Sequence, residues 1–268
     1  GNHSVKLIKA AARSEAPPAY QGPGELDRLA ALGCVDSYED YLCWLPAEPV
    51  RDRWNWDYYA RNARELGDRG IKYTVYPWVH FCPHWATNSE LWDPLLCLEH
   101  SDSTWAPSIW APATTALFDR FYMNMRQALG DQVKQVYVSM VCDYGEVGYP
   151  LGMADWVVPA RHKHNDWWCG DTNARRDFRE AMLRQHGGLG ALNRAWGTSF
   201  GKEGEVGYPP WLATEGPGWE STCALPPAER VQARRRWLDF LEWYLGSMVD
   251  FGAKAVGLSR KHYPAAPH

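Results

Sequence analysis

The residues best placed to do chemistry lie in one stretch, Gln135-Val-Tyr-Val-Ser-Met-Val-Cys-Asp-Tyr-Gly-Glu-Val-Gly-Tyr-Pro150. A short, β-branched apolar run from Val136 to Val141 breaks into a polar, glycine-containing turn that carries Asp143, Tyr144 and Glu146, with Tyr149 just beyond. Such a run is expected to be a buried strand. Parallel α/β folds place reactive carboxylates at the carboxyl ends of their strands. A strand that ends in a merely solvated turn, where Asp and Gly are common, gives the same local pattern. The rest of the chain has to decide between these readings.

Two other groups invite attention. His80, Cys82 and His84 alternate along a segment expected to be extended, so their side chains would share one face. That arrangement suits zinc, although no fourth ligand is evident. Trp44, Trp78 and Trp85 fall at expected strand ends and would make a stacking platform or, equally, core. Glu48 is either a substrate contact or an exposed loop acid.

The elements that would position these groups follow from periodicity and punctuation. Strands are expected at Val5 to Ala10, Cys34 to Trp44, Ile71 to Val79 and Val136 to Val141. Helices are expected at Glu25 to Leu32, Trp56 to Arg69 and Thr114 to Leu129, each closed by a glycine. Further helices are expected at Asn173 to Gln185 and Leu189 to Trp196, parted by Gly187-Gly188, and from about Ala228 to beyond Val249. Long aromatic segments, Ala86 to Pro112 and Leu151 to Gly170, lack periodicity. Strand and helix alternate, which is the signature of βαβ units on a parallel sheet. The expected fold class is α/β, of the TIM-type (β/α)8 barrel kind, with about four to five βα units in a single domain over residues 1–268.

Composition narrows the function. The chain has 268 residues, 46% of them hydrophobic and 22% charged, enough for a sizeable core. A net charge of −4 without any basic run argues against a nucleic-acid partner. No apolar stretch is long enough for a membrane span. Seven cysteines are scattered singly, without a CxxC pair, as expected of reduced thiols in a cytoplasmic setting. Sixteen tryptophans and fourteen tyrosines, many of them in Pro- and Gly-rich loops, suit the apolar faces of sugar rings.

From about Gly24 onward the chain resembles the β-amylases (glycoside hydrolase family 14) and the related family 42 β-galactosidases. Leu32-Gly-Cys-Val-Asp36, Trp44-Leu-Pro-Ala-Glu48, Trp54-Asn-Trp-Asp-Tyr58 and Gly70-Ile-Lys72 follow the second-strand and second-helix pattern of both. His80-Phe-Cys82 resembles the His-x-Cys that ends the third strand in β-amylases, where the histidine meets a sugar hydroxyl. Gly145-Glu146-Val-Gly-Tyr149-Pro150 is similar to the Gly-Glu-x-x-Tyr-Pro that carries their catalytic acid, and Phe240-Leu-Glu-Trp-Tyr244 resembles a later helix. There are departures. Tyr41 stands where β-amylases carry a substrate-holding Asp, and Pro83-His-Trp-Ala-Thr87 replaces their mobile Gly-Gly-Asn loop. The partner carboxylate of both families comes from a late strand, so the barrel is expected to be incomplete in this chain, lacking its C-terminal part.

The resemblance implies a glycosidase, β-galactosidase-like or β-amylase-like, that hydrolyses O-glycosidic bonds of oligosaccharides or β-galactosides. It makes Glu146 the general acid, its pKa raised by burial. Trp44, Glu48, His80, Trp85, Asp143, Tyr144 and Tyr149 are the expected substrate-binding residues. Within the chain, Glu48, Asp143, Glu203 and Glu205 are the candidates for a second carboxylate. No cofactor and no metal is expected; the partner is a carbohydrate, and a homo-oligomer is compatible with the sequence. The alternative is a non-catalytic carbohydrate-binding protein on a partial barrel.

Overall fold

The computed structural model describes residues 5–9, 23–33, 35–142, 147–150, 167–210, 212 and 219–268. In chain order the elements are β1 (Val5–Lys9), α1 (Pro23–Ala31), β2 (Val35–Cys43), α2 (Trp44–Ala47), α3 (Asp57–Gly67) and β3 (Lys72–Trp78). They continue with α4 (His84–Thr87), β4 (Pro94–Leu96), β5 (Ser103–Pro107), α5 (Pro112–Leu129) and β6 (Val133–Val136). The last are α6 (Thr172–His186), α7 (Leu189–Trp196) and α8 (Pro227–His262). No helix among the described residues is long and apolar enough to cross a membrane. The chain divides into two compact units.

The first unit comprises residues 1–92, 113–147 and 252–268. Its sheet has the order β1-β2-β3-β6, every pair parallel, so the expected βαβ units are present as a partial α/β fold. On one face of β2 and β3, Asp40 is buried and accepts hydrogen bonds from Asn62 Nδ2 of α3 (2.8 Å) and from the Tyr73 hydroxyl (3.1 Å). On the other face, Tyr41 meets Tyr76 edge-on at 5.5 Å and Trp78 at 5.0 Å, and Tyr76 meets Tyr137 at 6.3 Å. The two faces differ because successive side chains of a strand point opposite ways.

The fourth strand departs from expectation. The apolar run places it at residues 136–141, but β6 ends at Val136 and residues 137–140 carry no regular structure. The cause lies on the neighbouring strand. Val75 pairs with Val136, and the Tyr137 amide donates to the Val75 carbonyl at 2.8 Å. The next residue of β3 facing that edge, two along, is Pro77, which has no N–H to donate. The ladder stops there. On the same strand Val136 N–H donates to the Pro267 carbonyl at 3.0 Å, so the C-terminal residues lie along β6.

The second unit comprises residues 93–112 and 148–251. The aperiodic segment expected over 86–112 contains an antiparallel pair, β4 and β5. Residues 167–170 join it through Leu98 N to Trp167 O (2.8 Å) and Gly170 N to Leu96 O (2.9 Å). Gly170 is required at this contact, since a Cβ there would lie 2.5 Å from the Cys97 carbonyl oxygen. Phe178, Trp196, Phe240, Trp243 and Tyr244 form a buried cluster, with Trp110, Tyr149, Trp167 and Tyr208 packed against it. Several loop tryptophans expected to offer faces to sugars are therefore core. Trp168 has no exposed surface and donates Nε1–H to the Pro150 carbonyl at 2.7 Å.

One carboxylate holds the helices of this unit. Asp239 of α8 is fully buried and accepts from Gln185 Nε2 (2.8 Å), Arg235 (2.8 Å) and Trp196 Nε1 (2.7 Å), with His186 Nε2 at 2.9 Å. Asp239→Ala strands these groups, and a loss of about 3 kcal/mol or more is expected from breaking a buried hydrogen-bonded charge. Urea unfolding followed by circular dichroism measures it; an unchanged midpoint would contradict the role given to Asp239.

Candidate active site

A parallel sheet sets the carboxyl ends of β2, β3 and β6 side by side. At the end of β2 the chain turns directly into α2, and Glu48 closes that turn with its amide on the Trp44 carbonyl at 2.8 Å. The Glu48 side chain points inward and is fully buried. Its carboxylate accepts from Trp44 Nε1 (2.8 Å), from the Asp52 amide (2.7 Å) and from Arg120 Nη1 (2.6 Å), and Arg120 Nη2 completes a bidentate pair on the other oxygen. Arg120 also reaches Asp52 at 2.7 Å, and that hydrogen bond holds the exposed Asp52 carboxyl below its usual range.

Two tryptophans flank this cluster. The Arg120 guanidinium lies 4.9 Å from the Trp54 ring and 5.0 Å from the Trp85 ring. Such contacts are favourable because the ring faces are negative. Arg51 lies 5.6 Å from Trp85, whose Nε1 donates to the Glu48 carbonyl at 3.1 Å. Trp44 is fully buried, with its ring 5.3 Å from Phe121 of α5. The sequence placed Trp44, Glu48 and Trp85 against a substrate. The structure brings them together, with Trp44 and Glu48 behind the surface and Trp85 partly exposed above them. Glu48 is not free to serve as a second catalytic carboxylate, since Arg120 takes both of its oxygens. Glu203 and Glu205 sit in an exposed helical turn of the second unit, where Glu205 accepts from the Gly201 amide at 2.8 Å.

At the end of β3, His80 is 1% exposed and its Nδ1 lies 3.0 Å from the Ser139 hydroxyl. Its Nε2 is buried with no partner among the described residues. Burial pushes the imidazole down to about 3, so the ring is neutral at physiological pH. The expected sharing of one face by His80, Cys82 and His84 is not seen. Residues 79–80 form a turn, Cys82 turns its thiol back to the Val79 carbonyl at 3.5 Å, and His84 opens helix α4. Among the described residues no group of three His, Cys, Asp or Glu side chains could hold a metal ion.

Asp143, Tyr144 and Glu146 lie outside the described residues. Tyr149 belongs to the second unit, where its ring stacks on Tyr244 at 3.9 Å and its hydroxyl donates to the Tyr244 carbonyl at 2.7 Å. Burial pushes that phenol well above its ordinary value. Sequence reasoning missed Arg120 and Ser139. Each carried a signal: Arg120 sits among Phe118, Phe121 and Tyr122, and Ser139 is the one aliphatic hydroxyl inside the run 136–141.

No family model matches the chain. Over 178 residues it is 24% identical to the thermophilic β-amylase of Thermoanaerobacterium thermosulfurigenes, a span of 59% of this chain and 31% of that protein. Over 162 residues it is 25% identical to the β-galactosidase BbgII of Bifidobacterium bifidum, 59% of this chain and 21% of that protein. The crystal structure of the catalytic domain of β-amylase from Paenibacillus polymyxa superimposes with a TM-score of 0.69 at 18% identity, covering 99% of this chain and 64% of that one. The first two matches are likenesses of sequence and the third is one of fold. The resemblance read from the motifs stands: the relatives are β-amylase and β-galactosidase glycoside hydrolases, and the chain spans about a third of the β-amylase it matches.

Two outcomes follow from this geometry. Arg120→Met leaves Glu48 charged and unpaired in the interior, and about 3–5 kcal/mol of stability should be lost in chemical denaturation. The double variant Glu48→Gln, Arg120→Met should recover a large part of it; a double variant as unstable as the sum of the single ones would mean the two do not act as a pair. The second outcome concerns acid. His80 is neutral when folded down to about pH 3, whereas the unfolded chain protonates it near pH 6.5. The unfolded state therefore binds the extra proton between these values, and stability falls as pH falls through that window. His80→Phe should flatten the acid limb relative to wild type, by up to about 1.4 kcal/mol per pH unit. Parallel curves for the two proteins would refute the burial of a neutral ring.

Proposed function

We propose that this chain is the part of a glycoside hydrolase that carries its proton donor, on a barrel of the (β/α)8 kind, and that Glu146 is that donor. The carrying observation is the order of the motifs along a parallel sheet: Trp44 and Glu48 just after β2, His80 at the end of β3, and the Gly145-Glu146 sequence that follows β6 in the chain. Sequence identity of 24–25% to a β-amylase and a β-galactosidase supports the same reading. The substrate class is an oligosaccharide or a β-galactoside. Cleavage needs a proton on the leaving oxygen and a second carboxylate, either to activate water or to act as nucleophile. Glu146 supplies the first. Trp85 and His80 meet the sugar together with Asp143 and Tyr144, while Trp44 and Glu48 fix Trp85 from behind.

A second reading, a carbohydrate-binding protein without catalysis, draws on one observation: Glu48 is fully committed to Arg120. Turnover of aryl glycosides distinguishes the two. Glu146→Gln should lower turnover of a substrate with a poor leaving group by about 10²–10⁴-fold, the usual worth of general acid catalysis. Turnover of a dinitrophenyl glycoside, whose leaving group needs no proton, should fall far less. Equal losses on both substrates would remove Glu146 from the acid role. Sugar binding without any turnover by the wild-type protein would favour the binding reading.

A further inference from the structure

The pair His80–Ser139 holds more information than a single contact distance. Both side chains are buried, at 1% and 0% exposure, and Ser139 Oγ lies 3.0 Å from His80 Nδ1. The ring is neutral, so one nitrogen carries a proton and the other a lone pair. Two arrangements satisfy the distance. In the first, Nδ1–H donates to Ser139, which leaves the serine proton and the Nε2 lone pair both without partners among the described residues. In the second, the Ser139 hydroxyl donates to Nδ1, and only an Nε2–H is left. A buried donor or acceptor without a partner costs about 1–3 kcal/mol, so the arrangement with one orphan prevails over that with two.

We propose that Ser139 is a positioning residue that holds His80 in the Nε2–H tautomer. His80 then presents a fixed donor, rather than an acceptor, to an oxygen lone pair of a sugar. Nε2, which has no partner among the described residues, is the atom left to be satisfied, and a ligand hydroxyl or ring oxygen satisfies it without moving the ring. Ser139 acts through His80 and does not itself touch the substrate. The ligand part of this proposal rests on the glycosidase reading; the tautomer part does not.

Nitrogen-15 NMR of protein labelled in its histidines tests the tautomer without any sugar. In the wild type, His80 should show a proton bound to Nε2 and an unprotonated, hydrogen-bonded Nδ1. In Ser139→Ala, the Nδ1 resonance should move towards that of a free unprotonated nitrogen, and Ser139→Thr should restore it. A wild-type protein with the proton on Nδ1 overturns the proposal. In kinetics on an aryl glycoside, Ser139→Ala should raise KM about tenfold, the scale of one oriented hydrogen bond, with a smaller change in kcat, and Ser139→Thr should recover it. An unchanged KM beside the expected tautomer overturns the positioning role. If galactose and glucose at high concentration leave the Nε2–H resonance unmoved while the tautomer is as expected, the glycosidase reading of His80 fails and the Ser139 device stands.

Discussion

The first unit depends on one buried ion pair. Glu48 has no contact with water, and an uncompensated carboxylate in such a place would cost several kcal/mol. Its lone pairs are instead met by two guanidinium nitrogens, an indole and a backbone amide. Arg120 stands on α5 and Glu48 at the end of β2, 72 residues apart in sequence. Their bond therefore fixes a helix to a strand end that no sheet hydrogen bond could reach. The same pair fixes Asp52 in a left-handed backbone conformation, φ 62°, by taking both its amide and its carboxylate. That conformation is uncommon for a residue with a side chain, and it persists because its surroundings over-determine it.

The aromatic rings act within that constraint. Trp85 is tied through its Nε1 to the Glu48 carbonyl and through its ring to two arginines, so its orientation is set by groups around the buried charge. Trp54 and Trp56 stack nearly parallel, 7° apart, beside Phe121. A wall of large rings held this way gives up little conformational freedom on meeting a ligand, since it is already ordered. The second unit uses the same device with other residues: Asp239 is the buried carboxylate, and an indole, an amide, an imidazole and a guanidinium are its partners.

Much of the fold was legible in the sequence, for identifiable reasons. Glycines at positive φ end α6 and α7 at Gly187 and Gly197, and the helical periodicity before them is strong. The strand over residues 72–78 was marked by its aromatic and β-branched residues, and the one over 35–43, which carries Asp36, Glu39 and Asp40, by the helices on either side and the prolines that follow it. The fourth strand was misplaced because its extent is decided by Pro77, which lies on a different strand and forms no part of the local pattern. The site was legible only in part. Residue types named Trp44, Glu48 and His80, but whether each faces a ligand or the interior depends on Arg120 and Ser139, which are distant in sequence. An ion pair across 72 residues has no periodicity to betray it.

Tyr41 shows how far this surface departs from the β-amylase pattern. Tyr41 packs between Tyr76 and Trp78 on the face of the sheet that also bears Tyr137. A carboxylate offers two charged acceptors for sugar hydroxyls; a phenol held by its ring offers one neutral hydroxyl and a flat apolar face. On the glycosidase reading proposed above, the change trades directional recognition of hydroxyl protons for contact with the C–H face of a ring. At the end of the neighbouring strand, His80 keeps a nitrogen without a partner among the described residues. Trp78 is itself buried, so it backs the Tyr41 ring rather than offering a face of its own.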